Sequence, residues 1–137
     1  MTETPTVATN LGALNHAHLT VPMEGLAEAR RFYCEVMGLQ EVEKPESLKV
    51  YPGFWLQLEN CQLHIGGENS TNNRWNTGVH VAIEVPDLEE RRSRLTVEGV
   101  KMSDMVYYPG YRRFEFRDPF GNRLEFTTKA EPPEGAK

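Results

Sequence analysis

The hydrophobic and polar positions of this chain follow one pattern written twice. The first copy opens with His16-Ala17-His18-Leu19-Thr20-Val21-Pro22 and the second with His80-Val81-Ala82-Ile83-Glu84-Val85-Pro86. Each run alternates, with Ala17, Leu19 and Val21 on one face of the first. Val79, Val81, Ile83 and Val85 share a face of the second. A period of two with one apolar face predicts a strand packed on one side only. His16, His18 and Thr20, and then His80, Ala82 and Glu84, fall on the other face. The histidine-to-proline spacing is six positions in both copies.

A helical stretch follows each opening strand. Leu26, Ala29, Phe32, Tyr33 and Val36 recur at helical spacing, and Gly38 fits the left-handed residue that ends a helix. In the second copy Asp87 occupies a capping position with Glu90 three residues on. Leu88, Leu95 and Val97 supply a thinner stripe, and Gly99 ends it. Strands are predicted next over 49–51, 54–59 and 61–65, and over 105–108, 111–117 and 122–127. The turn Asp118-Pro119-Phe120-Gly121-Asn122 carries hairpin chemistry. Each copy therefore reads β-α-β-β-β, the first over 14–66 and the second over 79–128, joined by a polar linker over 67–78. The fold class is α+β, a single domain over 14–128. Its two modules form a curved mixed sheet around a cleft, with helices on the outer face. Residues 1–13 and 129–137 are expected to be flexible tails.

Composition narrows the function classes. The 137 residues are 39% hydrophobic and 26% charged, which suits one globular domain. The formal net charge of −5 argues against a nucleic-acid protein, which needs a basic footprint. No apolar run approaches membrane-spanning length. Residues 1–13 lack the apolar core of a signal peptide, so the expected compartment is the cytoplasm. Two cysteines, Cys34 and Cys61, are too few for a disulfide framework and read as free thiols.

The candidate chemistry sits at repeat-equivalent places. His16 and His80 mark the two opening strands, and His64 and Glu125 mark the two closing ones. Three imidazoles and one carboxylate suit a divalent transition metal: Fe, Mn, Ni, Co or Zn. His18, two residues from His16 on the same face, is a candidate base. Trp55 and Gln57, with Tyr51, share a face and form a candidate substrate wall. Tyr111 and Arg113 follow Pro109-Gly110, where an arginine can hold a substrate carboxylate through a fork of hydrogen bonds.

Several of these segments resemble the vicinal oxygen chelate superfamily, which includes glyoxalase I, fosfomycin-resistance enzymes, extradiol dioxygenases and bleomycin-resistance proteins. The resemblance is carried by Leu14-Asn15-His16, Arg31-Phe32-Tyr33, Met37-Gly38-Leu39, Gly78-Val79-His80 and, above all, 118–126. It spans about residues 14 to 128. It implies a metal chelated by His16, His80 and Glu125, and a homodimer that completes or swaps the cleft. The fourth ligand position falls on His64, where glyoxalase I usually has Glu. The implied function is a metal-dependent enzyme of glyoxalase-like type, moving a proton on a small oxygen-chelating substrate through Glu125 or His18. The alternatives are a small-molecule binding or resistance module and an Fe(II) extradiol-type dioxygenase.

Overall fold

The computed structural model describes residues 12–69, 73–106 and 108–130. The first module comprises β1 (His16–Pro22), α1 (Leu26–Arg31), β2 (Gln40–Val42), β3 (Gly53–Gln57) and β4 (Gln62–Glu68). The second comprises β5 (His80–Glu84), α2 (Leu88–Val97), β6 (Met102–Asp104), β7 (Tyr111–Arg117) and β8 (Arg123–Lys129). The strands form two curved four-stranded sheets, in the orders β1-β4-β3-β2 and β5-β8-β7-β6. In each, the opening strand runs parallel to the closing strand, and the other pairs are antiparallel. The α+β architecture of paired βαβββ modules is the one the sequence predicts.

The alternation works as expected. Leu19, Val21, Phe54, Leu56, Leu63 and Ile65 of the first sheet join one core with Ile83, Phe114, Phe116, Leu124 and Phe126 of the second. The first helix covers this core with Ala29, Phe32, Tyr33 and Val36. Its second half, Phe32–Val36, winds as a wider π-type turn, with Met37 N–H donating to Phe32 O at 2.9 Å. Gly38 and Gly99 end their helices at φ +81° and +76°.

Four expectations need correction. The short strand of the first module is Gln40–Val42, not 49–51; it leaves Gly38 almost at once, whereas 49–51 is hemmed between Pro45 and Pro52. Its counterpart is Met102–Asp104 rather than 105–108. Both are polar edge strands of three residues, too short to show alternation. Asp87 sits at the N-cap but makes no capping bond, and its carboxylate pairs with Arg91 at 3.3 Å. Val97 and Val79 are exposed, outside the core. The expected tails fall mostly outside the described residues, and β8 runs on to Lys129. Cys34 and Cys61 are free thiols.

The modules are stapled through the β7–β8 turn. Asp118, 1% exposed, accepts the Tyr33 hydroxyl on Oδ2 at 2.7 Å. Its Oδ1 accepts the backbone N–H groups of Phe120 and Asn122 at 2.9 Å. Asn122 in turn donates from Nδ2 to Thr20 O of β1 at 2.9 Å. The Asp118–Asn122 segment is therefore an interior fastener. Every polar atom it buries in these contacts has a partner, as buried polar groups require. No helix among the described residues is long and apolar enough to cross a membrane.

Candidate metal centre

The strand registers place the expected site residues in two pairs. In the first sheet His18 lies opposite His64, and Trp55 lies on the other side of His64. The His64 ring is stacked between Trp55, at 4.0 Å between centroids and 3°, and His16, at 4.2 Å and 16°. His18 meets it edge-on at 6.5 Å. His64 is only 6% exposed. Burial, with His16, His18 and Lys44 nearby, lowers its pKa from 6.5 to about 4. It is therefore neutral at pH 7, the form an imidazole ligand needs.

In the second sheet His80 Nε2 faces Glu125 Oε1 across 3.9 Å. Glu125 is 5% exposed, and its other close partner is Arg113, with Nη1 at 3.3 Å from the same oxygen. Arg113 also donates to Val106 O at 2.9 Å and lies over the Tyr108 ring at 5.3 Å. Its Nε is buried without a hydrogen-bond partner. Tyr111 packs edge-on against Tyr108, at 4.9 Å, beside this group.

The donor set fits a transition metal. His80 Nδ1–H donates to Gly78 O at 2.8 Å, which leaves Nε2, 3.9 Å from Glu125 Oε1, as the ring nitrogen able to meet a metal. His16 Nδ1 bonds Asn15 Oδ1 at 2.8 Å in the same manner. His64 Nε2 bonds Gln62 Oε1 at 2.9 Å. Two metal–ligand bonds of about 2.1 Å can span the gap between His80 and Glu125. Yet among the described residues no three of His, Cys, Asp and Glu are arranged within one chain so as to hold a metal ion. The candidate ligands fall in two groups, one on each sheet, each a candidate half-site.

Where the structure groups His16, His18, His64 and Trp55 on one sheet and His80, Glu125, Arg113 and Tyr111 on the other, sequence reasoning put His16, His64, His80 and Glu125 into one shared metal site. It missed the groups that orient them. Gln57, expected on the substrate wall, instead accepts from Gln62 Nε2 at 2.9 Å, and Gln62 bonds His64. Gln62 lies two residues before His64, so period-two parity alone would have found it. Lys44 was also missed: its Nζ donates to Tyr51 O across a recess of about 210 Å³. His18, Tyr51, Trp55 and His64 line the same recess. Nothing in the sequence pattern links Lys44 to the histidines.

Paired βαβββ modules with a histidine on the first strand of each are the frame that carries these residues. Residues 15–126 match the Glyoxalase/Bleomycin resistance protein/Dioxygenase superfamily, and the chain belongs to it. A glyoxalase family protein from Bacillus anthracis is 33% identical, with a TM-score of 0.81 over 90% of this chain and all of that one. A glyoxalase/dioxygenase from Nostoc punctiforme shares the fold at 18% identity and TM-score 0.74, covering 96% of this chain and 100% of its own. So does the fosfomycin resistance protein FosX from Listeria monocytogenes, at 18% and 0.69, covering 88% and 95%. No curated protein matches the sequence.

Proposed function

We propose that this protein is a divalent-metal-dependent enzyme of glyoxalase-like type, active as a homodimer and acting on a small oxygen-chelating substrate. The observation that carries the reading is His80 Nε2 facing the buried Glu125 carboxylate with its Nδ1–H committed to Gly78 O. His16 presents the matching arrangement on the first sheet. His16, His64, His80 and Glu125 would hold the metal, which as a Lewis acid would stabilise an enolate or oxyanion.

The sheet order supports the dimer. β1 and β5, which carry His16 and His80, are both edge strands with one side unpaired among the described residues. An edge strand presents free N–H and C=O groups that a second chain can cover. In a two-fold dimer the first sheet of one subunit meets the second sheet of its partner, and each of two equal sites is completed.

The chain's own residues supply the remaining chemistry. Trp55 and Tyr51 form a flat wall beside His64. Arg113, whose Nη1 lies 3.3 Å from Glu125 and whose Nε has no partner, would orient a substrate oxyanion beside that carboxylate. His18, over the recess, or Glu125 moves the proton.

Elemental analysis of the untagged protein tests this directly, on wild type and on His16→Ala, His64→Ala and His80→Ala. The expected result is about one metal per chain, lost in His16→Ala and His80→Ala. A protein that takes up no metal after reconstitution with Fe, Mn, Ni, Co or Zn refutes the reading and leaves a binding module.

A further inference from the structure

A cavity of about 540 Å³ shares no residue with the two half-sites. It opens where the first module's helical segment meets β6 and β7 of the second. Its size falls within the range of small-molecule pockets, about 300–1,000 Å³. Three aromatic rings line it: Phe32, Phe116 and Trp75, with Phe32 and Phe116 at 6.3 Å and tilted. Val36 adds aliphatic surface.

The charges around this floor are uneven. Arg31 and Glu98 pair with each other at 3.1 Å, and Glu115 pairs with Arg123. Two cations remain. Arg117 donates to the backbone carbonyls of Gly121 and Arg74, at 2.8 and 3.3 Å, and lies 5.9 Å from the Trp75 ring centre. Neither it nor Lys101 makes an ion pair among the described residues. We infer that this cavity is a second ligand site, for an aromatic carboxylate whose ring lies against the exposed Trp75, over a floor formed by the buried Phe32 and Phe116, and whose carboxylate meets Arg117 and Lys101.

The site has its own reporter. The chain has two tryptophans, Trp75 in this cavity and Trp55 beside His64. The test titrates 2-naphthoate into the full chain and follows both indole N–H signals by NMR. Trp75→Phe assigns the pair. The Trp75 signal is expected to move saturably while the Trp55 signal stays. Lys101→Glu, an exposed change that leaves the core intact, weakens binding by about tenfold. The neutral 2-naphthamide binds about tenfold more weakly than the acid, the loss of one ionic contact.

Equal affinities for acid and amide, unchanged affinity in Lys101→Glu, or movement of the Trp55 signal alone would each overturn the assignment. So would the absence of any shift at millimolar naphthoate. A Trp75 shift on raising protein concentration without naphthoate would assign the cavity to a second copy of the chain and overturn it equally. Metal content is unaffected in every arm, so this test stands apart from that of the metal centre.

Discussion

His80 and Glu125 face each other across 3.9 Å without making a hydrogen bond, although Glu125 is nearly buried. The gap between a buried carboxylate and an imidazole nitrogen leaves room for a cation. The half-site on the first sheet is as incomplete as this one. Mixing His16→Ala chains with His80→Ala chains is therefore informative. Each variant alone should bind little metal. Random re-pairing of equal amounts makes half the dimers mixed, with one intact site of two, so about a quarter of the wild-type metal content should return. No recovery after verified exchange would place both pairs of ligands in separate sites.

Arg113 holds Glu125 in the metal-free chain. Its replacement leaves a buried carboxylate short of a cation, which costs about 1–3 kcal/mol. Arg113→Gln should lower the urea stability measured with a chelator present. The loss should shrink when metal is supplied, because the metal then partners Glu125. Equal losses under both conditions would mean that Arg113 and the metal do not share that carboxylate.

His64 has a lowered pKa, about 4 against 6.5. The unfolded chain therefore takes up a proton that the folded chain resists between these values. Stability from this group is complete above about pH 6.5 and is lost as pH falls toward 4, by about 2–3 kcal/mol. Unfolding of the metal-free protein followed from pH 7 to 4 should show this slope. His64→Gln should flatten it.

Tyr33 titrates in the opposite sense. Burial, then the charge and hydrogen bond of Asp118, hold its pKa well above 10. Folding favours the protonated phenol, so its contribution is complete below about pH 10 and is lost as pH rises further. Tyr33→Phe should reduce the alkaline fall in stability. Asp118→Ala, which strands the Tyr33 hydroxyl and two backbone N–H groups, should cost about 3 kcal/mol or more by thermal unfolding.

Gly66 gives His18 its place. A Cβ there would stand 2.6 Å from His18 Nε2, at the end of a movable side chain. Gly66→Ala should swing the imidazole away with a stability change of about 1 kcal/mol or less. If His18 carries the proton, the variant should lose activity while keeping its metal. Unchanged turnover would assign that step to Glu125.

The sequence pattern made the repeated module legible because its long strands alternate and its helices end at Gly38 and Gly99. The three-residue edge strands carried no such periodicity, and they were displaced by nine residues in one case and three in the other. The site was legible as a set of equivalent positions, since parity alone puts His16, His18, His64 and Trp55 on one face. It was not legible that the two sheets stay separate, because strand order depends on edge pairing that no single strand encodes. The stacking of His64 between two rings and the position of Lys44 arise from loops and tertiary packing, which the pattern does not constrain.

The Tyr33–Asp118 bond joins residues 85 positions apart, and the Asn122–Thr20 bond spans 102. At a synthesis rate of about 5–20 residues per second, Tyr33 emerges roughly 4–17 s before its acceptor exists. During that interval the first module has a helix whose buried hydroxyl is unclaimed and a β1 carbonyl awaiting an amide. The last hairpin to be made is thus the one that closes the first strand and helix, and the nascent chain depends on its C-terminal end for the solidity of its beginning.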